Sequence, residues 1–85
     1  MAIYITCIDK FMSGWGLAKD MDNRLIFECK DEGTANRLRN KLESRSEMAE
    51  IEEIEKVPDI VLKDKEVIME GEYVQMMTPE KFGVY

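Results

Sequence analysis

The stretch Arg24-Leu25-Ile26-Phe27-Glu28-Cys29-Lys30-Asp31-Glu32-Gly33-Thr34-Ala35-Asn36-Arg37-Leu38 switches from a two-residue to a helical spacing of apolar positions. That switch decides the fold class. Arg24 to Cys29 reads as a strand, with Leu25, Phe27 and Cys29 on one face. Asp31 to about Arg45 reads as a helix, because Ala35, Leu38 and Leu42 fall at i, i+3 and i+7 and form one apolar stripe. Asp31 suits the N-cap and Glu32 places a carboxylate in the first turn, where the helix dipole favours it. Thr34 is the competing cap if the start slips by a turn.

Upstream, Ala2 to Ile8 reads as a strand rich in β-branched residues. Ile3, Ile5 and Cys7 alternate with Tyr4, Thr6 and Ile8, so both faces are apolar and a central position is expected. Antiparallel pairing with Arg24–Cys29 would bring Cys7 and Cys29 into one sheet. The connection from Asp9 to Asn23 carries turn signals at Ser13-Gly14, Gly16 and Asp22-Asn23.

Downstream, Met48 to Val57 admits two readings. Met48, Ile51 and Ile54 have helical spacing, yet a small sheet needs a strand after its helix, and a strand in the later part is favoured. Pro58 ends either element. Val67 to Met77 reads as further strand, bent into a hairpin at Gly71. The tail, Thr78 to Tyr85, ends in Phe82-Gly83-Val84-Tyr85, aromatics expected to dock on this chain's sheet or on a partner. The order is β-β-α-β-β: an α+β fold with a small antiparallel sheet and one principal helix packed on a face. Residues 1–85 form a single domain, with 78–85 as its tail.

Eighty-five residues bury only a thin core, so pairing with a second copy would help, and a homo-oligomer is expected. The net charge of −6 argues against non-specific nucleic-acid binding, which needs a surplus of Lys and Arg. Charge is uneven along the chain: residues 1–46 carry +1 and residues 47–85 carry −7. The two cysteines sit in apolar runs as small hydrophobes, which fits a reduced, cytoplasmic protein. No run approaches the roughly 20 apolar residues of a membrane helix, and no signal peptide is visible.

Three groups of residues could bind something. The segment Ser13-Gly14-Trp15-Gly16 holds the chain's one Trp between two glycines. Glycine amides can cradle an anion and an indole face can stack on a base, although Trp15 could equally plug the core. Arg37, Lys41 and Arg45 lie four apart on a second helix face and suit phosphate oxygens, or else form an ordinary solvated face. Glu47, Glu50, Glu52, Glu53 and Glu55 form a dense carboxylate row that could imitate nucleic-acid phosphates or simply keep a face soluble. The carboxylates lack the spacing of a calcium loop, and neither a metal nor a cofactor is expected. The chain has no His, and Ser13, Ser44 and Ser46 have no evident base, so an enzyme is not expected.

The strings Asp9-Lys10-Phe11-Met12-Ser13-Gly14-Trp15-Gly16, Ile26-Phe27-Glu28-Cys29 and Arg45-Ser46-Glu47-Met48 resemble a family of small proteins encoded in bacteriophage and prophage genomes. The resemblance covers about the first half of the chain. It implies origin and size more than activity. The family tends to carry basic residues after Met48, where this chain has Ala49-Glu50-Ile51-Glu52-Glu53. Small phage proteins without catalytic groups act by binding, and some resemble anti-defence proteins that sequester a nucleotide signal or occlude a host enzyme.

The resulting expectation is a non-catalytic accessory protein in the cytoplasm of an infected cell. Ser13, Gly14, Trp15, Gly16, Arg37, Lys41 and Arg45 would contact a nucleotide-like anion or a host protein. The alternative is an acidic nucleic-acid mimic that blocks a DNA-binding host protein through Glu50, Glu52, Glu53 and Glu55.

Overall fold

Among the described residues, five strands and two α-helices form. The computed structural model describes residues 3–11, 19 and 21–85. In chain order the elements are β1 (Ile3–Asp9), β2 (Asp22–Cys29), α1 (Glu32–Glu43), β3 (Met48–Ile54), α2 (Asp59–Asp64), β4 (Glu66–Met69) and β5 (Glu72–Met77), followed by a 3-10 turn (Pro79–Phe82). The sheet order is β3-β1-β2-β5-β4. The expected α+β class with one main helix is what forms, and β1 is interior as its two apolar faces require.

One pairing departs from the antiparallel sheet expected. β2 and β5 run parallel, with Arg24 opposite Val74 and Ile26 opposite Met76, while β1–β2, β1–β3 and β4–β5 are antiparallel. The sheet is therefore mixed. The cause is α2, which reverses the chain after β3 and delivers the β4–β5 hairpin to the far edge, beside β2 rather than beside β3. Sequence reading stopped at Pro58 and missed this short helix. Pro58 stands at its N-cap and Lys65 closes it in a left-handed conformation, φ 68°.

Residues of the two sheet faces feed two separate cores. Ile5, Cys7, Leu25, Phe27 and Cys29 face α1, where Ala35, Leu38 and Leu42 cover them. Ile26 and Val74 face the other way and meet Val57 and Val61 of the α2 segment. The tail joins the α1 side. Phe82 packs edge-on against Phe27, with ring centres 5.4 Å apart, and Val84 is buried in the same core. Tyr85 remains 76% exposed. Among the described residues, no helix is long and apolar enough to cross a membrane.

Asp31 caps α1 as expected, its Oδ1 accepting from the Thr34 amide at 2.7 Å. That bond holds the Asp31 carboxyl below its ordinary pKa. The helix ends earlier than expected, with Ser44 as C-cap. The Ser44 hydroxyl donates to the Lys41 carbonyl at 2.6 Å, and the Arg45 amide turns back to Leu42.

Candidate functional site

Ser13, Gly14, Trp15 and Gly16 lie outside the described residues, and so does any meeting of Trp15 with the helix cations. Arg37 and Lys41 stand exposed on α1. Arg45 lies beyond the C-cap, which breaks the four-residue row read from the sequence. Two of these cations are already occupied. The Arg37 guanidinium donates to the Tyr85 carbonyl at 2.8 Å and to the Thr34 hydroxyl at 3.3 Å. Arg45 donates to Glu47 at 2.8 Å and stacks over Phe82, 4.9 Å from the ring centre. A hydrogen bond from its own backbone, and then the bond from Arg45, hold the Glu47 carboxyl below its ordinary pKa. Both arginines thus tie down the tail and the turn after α1.

The acidic run is divided by the sheet. β3 is an edge strand, and its register places Glu52 opposite Thr6 and Glu53 opposite Ile5, so their side chains leave on opposite faces. Glu53 goes to the α1 side and meets Arg39 at 3.7 Å. Glu52 goes to the α2 side. Between Thr6 and Ile8 the register slips by one residue, a bulge centred on Glu50, whose φ is 51°. A bulge and charged side chains are two devices that keep an open edge from pairing with other strands.

On the α2 side a cavity of about 300 Å³ opens over the sheet. Thr6, Arg24, Glu52, Glu70 and Glu72 supply its polar lining, and Ile54, Val61, Met69 and Val74 its apolar walls. Arg24 arrives from β2 with two further interior neighbours, Ile26 and Thr6, and so needs a partner. Glu72, at the start of β5, accepts from its Nε at 2.8 Å and from a terminal nitrogen at 3.1 Å, a bidentate pair with both side chains about four-fifths buried. The other terminal nitrogen donates to the Thr6 hydroxyl at 3.1 Å, and that hydroxyl donates to the Leu25 carbonyl at 3.0 Å. The Glu72 hydrogen bond raises the Arg24 pKa above its ordinary value, and the charges of Glu50 and Glu52 add to it. Sequence reading missed both members of this pair. Their signal was weak, since Arg24 is one of three charges in β2 and Glu72 is the first residue of β5.

A second cavity of similar volume lies between the ends of β2 and β5 and the tail, with Lys30, Lys65, Glu28 and Glu80 at its rim. Its charges balance, which gives it no preference for an ion of either sign.

Little else carries reactive chemistry. Cys7 and Cys29 are buried thiols. β1 pairs Ile3 with Cys29 and Cys7 with Leu25, which sets the sulfur-bearing residues roughly 13 Å apart along the ladder, beyond the roughly 7 Å that a disulfide spans. Burial, with Asp9 nearby, pushes the Cys7 thiol up to about 11, and burial raises Cys29 too. Neither is a ready nucleophile at neutral pH. Among the described residues, no group of three or more His, Cys, Asp or Glu is placed to hold a metal ion. Compared with known proteins, the chain matches no family, no curated protein and no solved structure.

Proposed function

We propose that this protein is a non-catalytic binding module that receives a basic partner, a nucleic-acid-binding protein whose cationic surface it occupies in place of DNA. The observation that carries this reading is the arrangement of carboxylates around β3. Glu50, Glu52, Glu53 and Glu55 are exposed along one edge of the sheet, with Glu53 beside Arg39, and Glu70 extends the negative charge to the α2-side cavity. Two helix-side arginines are spent on Tyr85 and Glu47, so the cationic side of the molecule offers less to a ligand than the acidic side does. Rows of carboxylates at strand spacing steer a basic surface and compete with phosphates for the same lysines and arginines. The setting would be the cytoplasm of a phage-infected cell, with the protein acting as paired copies.

The test is competition. Purified basic DNA-binding proteins are loaded on a labelled duplex and titrated with this protein at rising salt. Release of the duplex is expected, weakening steeply as salt rises, and lost when Glu50, Glu52, Glu53 and Glu55 are all changed to Gln. Release that survives the fourfold change refutes the reading. A small anion held by the segment around Trp15 belongs to the same binding class. A thermal shift with nucleotides that disappears in Trp15→Ala would favour that ligand over the basic partner.

A further inference from the structure

The cavity beneath α2 has a polarity that selects its occupant. Three carboxylates line it against a single guanidinium, and Glu72 already engages that guanidinium at two points. Among the described residues, Glu52 and Glu70 enter no ion pair. An anion entering here would face three carboxylates and a single guanidinium that Glu72 already engages. A cation meets two carboxylates, Glu52 and Glu70, that are in no ion pair. A bare metal ion is poorly suited, because the carboxylates are not clustered for coordination. The walls ask for something more: Ile54, Val61, Met69 and Val74 give the cavity an apolar side that a hydrated ion would not fill. Its base is firm, since Thr6 and Val61 are buried and the Arg24–Glu72–Thr6 hydrogen bonds hold the polar part in place.

We propose that this cavity takes the side chain of one Arg or Lys from a basic protein, its aliphatic stem along Ile54 and Met69 and its charged head between Glu52 and Glu70. The assignment rests on the basic-partner reading and adds its anchoring point. Long cationic side chains bury their methylenes on apolar surface while keeping the head among polar groups, which is the division this cavity presents. A single deep anchor among weaker surface contacts is also how most protein interfaces distribute their affinity. The rest of the carboxylates on β3 then act at longer range, orienting the partner and setting the salt dependence.

The experiment uses a small probe, so that it does not depend on knowing the partner. n-Butylguanidinium is titrated into the isotope-labelled full chain, with n-butylurea as the neutral control, and backbone amides are followed by NMR. Saturable shifts are expected at Thr6, Ile26, Met69 and Val74 with the cation, at least tenfold weaker with the urea. Glu52→Gln combined with Glu70→Gln is expected to weaken binding at least tenfold, while Glu43→Gln on α1 leaves it unchanged. The amide spectrum of each variant reports at once whether it is folded. Equal shifts with the urea, no shifts in the cavity, or binding indifferent to the double change would overturn the assignment. If the probe binds as expected but no DNA is released in the competition assay, the cavity stands and the partner reading falls. Release of DNA without probe binding leaves the partner reading standing and removes the anchor.

Discussion

At the scale of single residues, Arg24 and Glu72 show how a charge is kept inside a small domain. Each is about four-fifths buried, and each is tolerated because the other satisfies it in bidentate geometry. Removing one member leaves the second largely buried and without its ion-pair partner. Arg24→Met is expected to lower unfolding free energy by about 1–3 kcal/mol in urea denaturation. The double variant Arg24→Met with Glu72→Met should recover most of that loss, since an apolar pair can replace a buried ion pair at little cost. Additive losses in the two single variants would show that the residues do not work as a pair. Neither member stood out in the sequence, because a charge at a strand end is ordinarily solvated. Only the parallel alignment of β2 with β5 brings them together.

At the scale of elements, the β4–β5 hairpin and β3 each depend on a residue with positive φ. Met69 pairs with Glu72, leaving Glu70 and Gly71 as a two-residue loop with φ of 53° and 77°. Positive φ at both positions defines the tight turn whose twist matches that of paired strands. A side chain at position 71 meets no neighbouring atoms within 4 Å, so the cost of Gly71→Ala is backbone strain alone, about 1 kcal/mol. That loss is expected as a lower denaturation midpoint with an unchanged slope. An unaltered midpoint would mean that the turn rearranges freely. The hairpin bend at Gly71 was legible from the sequence for this reason. The conformation of Met48–Ile54 was not. Its helix-like spacing of Met48, Ile51 and Ile54 comes from the bulge at Glu50, which inserts one residue into the alternation. Met48 and Ile51 thereby share the α1 core three positions apart, and Ile54 joins the opposite core. A bulge offsets the two-residue period, so a bulged strand imitates a helix in one dimension.

At the scale of the whole molecule, the sheet separates two cores. The α1 side is held by the longer helix and by the tail, through Phe82 and Val84. The α2 side has a helix of only six residues, and the cavity opens where that helix leaves the sheet uncovered. Ile60 and Ile68, on α2 and β4, remain about half exposed. Pairing of copies through this side is a proposal. Sedimentation equilibrium at micromolar concentration should return twice the mass of one chain. A single-chain mass across the accessible range would refute pairing.

What the chain determined unaided were the local features: the strand at Arg24–Cys29, the capped helix after Asp31, an interior β1 and the turn at Gly71. Each depends on residues within a few positions of one another, so periodicity and capping chemistry suffice to reveal it. The tertiary structure alone decided the parallel β2–β5 pairing, the division of the glutamates between two faces, the occupation of Arg37 and Arg45, and the cavity built on Arg24 and Glu72. Those outcomes join residues as many as 48 positions apart, and a register or a bulge sets them. Pairing energies between distant strands leave no periodic mark on either segment, which is why the acidic run looked like one row until the pleat of β3 divided it.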